Sequence, residues 1–264
     1  MKHTIVTTTN ESKDYIQFWP SMAKSWSNRG YNVALGFVTN RNENDPLVKE
    51  LKKYGRVILY KPIPGIDAGN QAKVTRLHLA TSYEKFTIAD IDCYLLSHKV
   101  FKRWLSEYEP DKILAIGHNA YLGSDDEGKF PMIFTTGNGK VLSSIINPSN
   151  FNYNELLRSW IGLKIVDAKE DLSLPLYEFS DESLLRALIQ RSGQNKIKKI
   201  ARNDFVGMRA QRRIDRTNWQ INKSKLKTGH YIDCCPHRPI QFKKLSAIFS
   251  HLNIDEPVEL RKWK

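Results

Sequence analysis

The sequence predicts an α/β protein: a mixed, mostly parallel sheet flanked by helices, in one large domain or two lobes sharing a cleft. Three observations predict it. Strand-like and helix-like segments alternate over the first sixty residues, the pattern of a parallel sheet with crossover helices. Further β-rich segments follow at Phe86–Ile91, Lys112–Ile116, Phe130–Thr136 and Val141–Ile146. The composition, 41% hydrophobic and 26% charged over 264 residues, with a mean hydropathy of −0.49, belongs to a folded chain long enough to bury a substantial core. Disordered, collagen-like and coiled-coil classes are excluded.

The elements follow in order. His3 to Thr9 is rich in β-branched residues and reads as the first strand. Ser12 or Asp14 then caps an amphipathic helix carrying Tyr15, Phe18, Trp19, Met22 and Trp26, with Pro20 confined to its first turn or kinking it. Gly30 ends that helix, and Asn32 to Thr39 is the second strand. A short helix through Leu47, Val48 and Leu51 leads to a third strand, Arg56 to Tyr60. Pro62 and Pro64 make a loop, after which Asn70 to Lys85 has helical spacing in Val74, Leu77 and Leu79. Trp104 and Leu105 sit on a helix that stops before Pro110. The Gly137-Asn138-Gly139 triplet between two β-rich runs predicts a hairpin with a tight turn. Ser180 is the natural N-cap of a helix through Leu184, Leu185, Leu188 and Ile189.

Charge and cysteines bound the function. Lys and Arg number 41 against 28 Asp and Glu, and from Arg191 onward they number 18 against 6, so the basic excess belongs to the C-terminal part. Such a region attracts nucleic acid, an anionic membrane or a phosphorylated substrate, or forms a solvated basic surface. Cys93, Cys234 and Cys235 contain no CxxC pair, so neither a disulfide framework nor a zinc module is expected, and a reducing compartment fits. No apolar run approaches the roughly 18 residues of a membrane span, and no signal-peptide core opens the chain.

The sharpest chemical feature is Asp90-Ile91-Asp92, closing an apolar run. In an extended chain, residues i and i+2 share a face, so both carboxylates would meet one ligand. Hard oxygen donors at that spacing suit Mg²⁺ or Mn²⁺ bridging a diphosphate. Upstream, Lys73 and Arg76 lie at i and i+3 on a helix beginning near Asn70, a placement suited to phosphate. Trp19, Trp26, Trp104, Trp160 and Trp219 sit in apolar helical contexts and read as core; Tyr94 and Trp160 are also candidate acceptor contacts. His118 and Asn119 follow a strand and are placed to line a cleft. Asp125 to Gly128 reads as a solvated turn.

Together, the Ile5-Val6-Thr7-Thr8-Thr9 strand, the Lys73/Arg76 helix and Ala89-Asp90-Ile91-Asp92 resemble a small GT-A glycosyltransferase, of the kind found among large-DNA-virus and bacterial sugar-transfer enzymes. Lys129 to Phe134, Ile145 to Pro148 and Phe179 to Leu185 are similar to the acceptor-side segments of that group. The resemblance implies a GT-A-like α/β fold and transfer of a sugar from a nucleotide diphosphate sugar, a UDP-sugar, to a glycan or saccharide acceptor. It implies a donor lobe at 1–96, an acceptor and catalytic lobe at 97–240 and a basic C-terminal segment at 241–264. Carried over by position, Asp92 is the direct ligand of Mn²⁺ or Mg²⁺, and Asp90 the ribose or outer-shell partner. Thr7, Thr8 and Thr9 lie where the first strand meets the base. The third metal ligand would be His237, beside Arg238, with His230 as the alternative.

Breaking the anomeric C–O bond leaves negative charge on the departing diphosphate, which the cation with Lys73, Arg76 or Arg238 would stabilise. Asp181 and Glu182 are the candidate general bases for the acceptor hydroxyl, with Asp167, Glu170 and Asp171 in reserve. The competing reading is a metal-dependent nuclease or nucleotidyltransferase, or a nucleic-acid-binding protein using the basic C-terminal region; under the transferase reading no nucleic acid partner is expected. Peripheral contact with an anionic surface is compatible with the charge. The expected location is the cytoplasm, that of the host for a viral chain.

Overall fold

The computed structural model describes residues 3–119, 129–160, 181–201, 212–214, 221–226, 230–236 and 241–252. The first half of the chain builds βα units. Strand β1 (Thr4–Asn10) is followed by helices α1 (Lys13–Ile16) and α2 (Trp19–Ser27), strand β2 (Asn32–Val38), helix α3 (Pro46–Lys52), strand β3 (Arg56–Tyr60), helix α4 (Ala68–Ala80) and strand β4 (Phe86–Ile88). Then come the short strand β5 (Tyr94–Leu95), helix α5 (His98–Leu105), strand β6 (Ile113–Ile116), strand β7 (Thr136–Gly137), and helices α6 (Gly139–Ile146) and α7 (Tyr153–Trp160). Helix α8 (Asp181–Ser192), strands β8 (Ile197–Ile200) and β9 (Arg212–Ile214), helix α9 (Lys223–Leu226), strand β10 (Tyr231–Cys234) and helix α10 (Phe242–His251) complete the described elements.

Seven strands form one sheet in the order β3-β2-β1-β4-β7-β6-β8. All its neighbours pair in parallel except β7, which runs antiparallel to both β4 and β6. The C-terminal ends of β1, β2, β4, β6 and β8 therefore share one edge, where ligands of open α/β sheets gather. Strands β4 and β7, on either side of residue 96 in the chain, pair within this one sheet. In a smaller sheet, β5-β10-β9, the strand β5 that follows β4 in the chain pairs with β10 from the C-terminal part.

The alternating faces of β1 explain the layers. Ile5 belongs to a core shared with Trp19 and Trp26 of α2, Trp104 of α5 and Phe249 of α10, and Val6 to a second core with Leu77 of α4, Leu142 of α6 and Leu185 of α8. Local chemistry sets the helix starts. Asp45 accepts from the Leu47 amide (2.8 Å) with Pro46 in the first turn of α3, and Asp67 accepts from the Asn70 amide (2.9 Å) to open α4.

Four expectations change. The single helix from Ser12 is two helices, broken at Gln17–Phe18, with Pro20 in the first turn of the second, where its missing N–H costs nothing. The helix expected through Lys85 ends at Ala80. The Gly137-Asn138-Gly139 hairpin does not form: Asn138 accepts from the Lys140 amide (2.8 Å) and caps α6, so Val141 to Ile146 is helical. Neither glycine takes the positive φ that a tight hairpin turn requires. Finally, the fourth strand stops at Ile88 rather than Ile91.

Candidate functional site

The early end of β4 changes the geometry of the two acids. The Ala89 amide makes the last bond to β1, at Val6 O (3.0 Å), and the Cys93 amide then donates to Asp90 O (2.9 Å). Asp90 and Asp92 thus lie in a turn, not on an extended strand, and their environments differ: the Asp90 side chain is 34% exposed, whereas Asp92 is buried.

Arg76 projects from α4 into this turn. It is buried, and its guanidinium pairs with Asp90 on one side and Asp181, the first residue of α8, on the other. Burial alone would disfavour the guanidinium charge, but Asp181 and Asp90 outweigh it and hold the group firmly protonated. Burial pushes the Asp181 carboxyl above its ordinary range, and Arg76 offsets this only in part. Asp90, Arg76 and Asp181, three residues far apart in sequence, therefore form one charged centre at the C-terminal edge of the sheet. Glu182 adds a further negative field at Arg76. Lys73, expected to share the face of Arg76, is exposed and lies 3.5 Å from Asn70 Oδ1.

The threonines of β1 divide between the faces. Thr8 Oγ1 donates to Ala72 O on α4 (2.5 Å), and Thr9 Oγ1 donates to Asn10 O (3.3 Å). Thr7 is buried deeper in the strand, its hydroxyl without a hydrogen-bond partner among the described residues. Beyond them, at the strand ends, lies a network that sequence reading missed: Glu11 accepts from Thr39 and from Arg41 Nε (3.1 Å), and Arg41 also pairs with Asp45 (2.9 Å). Its members are spread over more than thirty residues, so no local motif signals them.

The candidate aromatics are core. Tyr94 is fully buried, its hydroxyl 2.5 Å from Ser21 Oγ and its ring against Phe249. Trp160 is buried and donates to Ile146 O (3.3 Å). His118 is exposed just past β6, on the same sheet edge as Asp90.

Among the described residues no three His, Cys, Asp or Glu side chains cluster to hold a metal. The donor types still fit a hard cation, since Asp90 and Asp92 place two carboxylates on one turn at the ligand edge. His230 does not complete the set. It precedes β10, whose other end, Cys234, pairs with Tyr94 beside the turn, so the histidine stands roughly four strand residues, about 13 Å, away from that end. His237, Arg238, Ser180, Trp219, the reserve acids Asp167, Glu170 and Asp171, and the Asp125 to Gly128 turn lie outside the described residues.

No family model matches the chain, and no curated protein sequence does. Solved structures do. The glycosyltransferase GlyE of Streptococcus pneumoniae TIGR4 aligns over 99% of this chain and 64% of its own length, at 14% identity and a TM-score of 0.52. Its apo form aligns over 100% and 63%, at 13% identity and a TM-score of 0.50. The galactosyltransferase LgtC, in complex with donor and acceptor sugar analogs, aligns over 99% of this chain and 100% of its own, at 13% identity and a TM-score of 0.49. The chain thus spans just under two thirds of the length of GlyE. At these identities the likeness establishes the fold alone.

Proposed function

We propose, from the premise that the chain has the GT-A glycosyltransferase fold, that it transfers a sugar from a nucleoside diphosphate sugar, a UDP-sugar, to a glycan or saccharide acceptor. One observation carries the proposal: Arg76 joins Asp90, in the acidic turn after β4, to Asp181 at the head of α8, at the ligand-binding edge of the sheet. In this reading residues 1–96 form the donor lobe, 97–240 the acceptor lobe and 241–264 a basic segment able to meet an anionic surface. The cytoplasm is the proposed location, and no nucleic acid is required.

Asp92 and Asp90 would hold Mn²⁺ or Mg²⁺, with His237 as the further protein ligand. Such an ion supplies positive charge to the departing diphosphate when bound. The chain's own contributions follow from its geometry. Thr9 and the end of β1 face the base and ribose, with Thr7 and Thr8 behind them. Arg76, held rigid by two carboxylates, presents a fixed positive charge that needs no reorganisation as the anomeric bond breaks. Lys73, exposed one turn earlier on α4, and Arg238 are the further cations for the phosphates. Glu182 or Asp181 takes the proton of the acceptor hydroxyl.

The test is thermal unfolding with UDP, GDP, CMP and their sugars, with and without Mn²⁺. A donor present at a hundred times its dissociation constant should stabilise the fold by about 2.7 kcal/mol. Asp92→Ala should remove the Mn²⁺-dependent part of that shift and leave the unliganded melting temperature in place. Unchanged metal dependence in this variant would overturn the assigned role.

A further inference from the structure

Behind the acidic turn lies a largely buried ion pair that the proposed chemistry does not use. Asp233 on β10 is fully buried, and one of its oxygens, Oδ2, accepts from Arg213 Nε (3.0 Å) and Nη2 (2.8 Å). The same oxygen is 3.9 Å from Cys93 Sγ, whose thiol donates to it. Cys93 is the residue that closes the Asp90 turn with its amide, and its carbonyl accepts from Trp26 Nε1 (3.3 Å). It is thus held at amide, carbonyl and thiol. A register shift between β9 and β10, at Tyr231/Asp233, sets Arg213 opposite Asp233. Such bulges re-aim a side chain that a regular ladder would point elsewhere. On the other side, the amides of Leu96 and Ser97 both donate to Ile232 O (2.7 and 3.1 Å), clamping the chain that leaves the turn to β10.

A buried ion pair adds little net stability over apolar residues of the same volume, so its presence here calls for a geometric role. We propose that Arg213 and Asp233 are positioning residues: through Cys93 they preset the Asp90–Cys93 turn, and with it the two carboxylates, before ligand arrives. Neither residue is assigned contact with substrate. The inference rests on the glycosyltransferase reading only for what the turn binds.

The test separates the two. Hydrogen exchange of the unliganded protein is followed over residues 89–96 in the wild type, in Asp233→Asn, in the double variant Arg213→Met/Asp233→Leu, and in Cys93→Ser and Cys93→Ala. The apolar double variant guards against simple misfolding, since it removes both charges together. The expected result is exchange at least tenfold faster over 89–96 in Asp233→Asn, the double variant and Cys93→Ala. Cys93→Ser, which keeps a donor, should stay near the wild type, and β1 to β3 should be unchanged in all four variants. Binding of UDP in the presence of Mn²⁺, by calorimetry, should weaken at least tenfold in the double variant even where its melting temperature matches the wild type. Wild-type exchange over 89–96 in the double variant, or a loss of binding that merely follows melting temperature across the set, overturns the proposal. A wild type that binds no nucleoside diphosphate with Mn²⁺ overturns the functional reading instead, and the exchange result still decides the role of the pair.

Discussion

Arg76 on α4 and Asp181 on α8 form an ion pair that ties two helices together beneath the acidic turn, with side chains only 11% and 4% exposed. Removing one member of such a pair leaves the other charged and buried, which costs about 3–5 kcal/mol. Arg76→Met should therefore lose that much stability in urea denaturation, because Asp181 keeps its burial and loses its counter-charge. The double variant Arg76→Met/Asp181→Leu should regain most of the loss. A single variant within about 1 kcal/mol of the wild type would mean that water reaches the carboxyl.

His3, at the start of β1, supplies the pH dependence. Its Nε2 lies 2.7 Å from Thr87 Oγ1, and burial, with Lys85 nearby, lowers its pKa from 6.5 to about 3, against an opposing backbone bond from Phe86. The folded state holds the ring neutral where the unfolded chain would protonate it. Stability from this group is complete above pH 6.5 and is lost as pH falls toward 3, by about 2–4 kcal/mol. Stability measured by urea between pH 7 and pH 4 should decline in the wild type, and His3→Gln should flatten that part of the slope. An unchanged slope in the variant would assign the acid sensitivity to other groups.

The parts of this fold that were legible in sequence share a physical cause. The β1 to β3 succession could be read because its apolar periodicity acts over a few residues. The Asp90-x-Asp92 pair was visible for the same reason, although the strand face assumed for it is replaced by a turn in which the Cys93 amide bonds back to Asp90 O. Asn138 misled because an Asn between glycines suits both a hairpin and a helix cap, and only the neighbours of Gly139 decide between them. The ion pairs of Arg76 are not legible locally because its two carboxylates come from residues 14 and 105 positions away. The same distance hid Glu11 with Arg41 and Arg213 with Asp233. Tyr94 was drawn toward the acceptor by its place beside the acids, yet its hydroxyl turns inward to Ser21.

Gly139 makes a sharp packing prediction. Its amide donates to Tyr83 O (2.8 Å), and a Cβ there would lie 2.3 Å from Thr81 O and 2.6 Å from Tyr83 O. Both are backbone atoms, so the start of α6 would have to shift. Gly139→Ala should cost about 1–3 kcal/mol. Gly30→Ala meets no atom within 4 Å, but its φ of 85° is left-handed, so it should cost about 1–2 kcal/mol for backbone strain alone. The two separate by mechanism in a hydrogen-exchange comparison: Gly139→Ala should loosen α6 and the chain at 81–83, whereas Gly30→Ala should disturb only the turn between α2 and β2.

Asp181 and Glu182 stand side by side at the head of α8, but their surroundings give them different tasks under the proposed reaction. Asp181 is engaged by Arg76 and almost inaccessible, whereas Glu182 is half-buried. Glu182→Gln should lower kcat by about 10²–10⁴-fold, the usual contribution of a general base, with little change in the KM for the donor. Asp181→Asn weakens the hold on Arg76 and so disturbs the fixed charge beside Asp90; it should raise the donor KM as well as lower kcat. Steady-state kinetics with a UDP-sugar would distinguish the pair. If Asp181→Asn changes kcat alone while Glu182→Gln turns over normally, the base is Asp181 and the ion pair opens during the reaction.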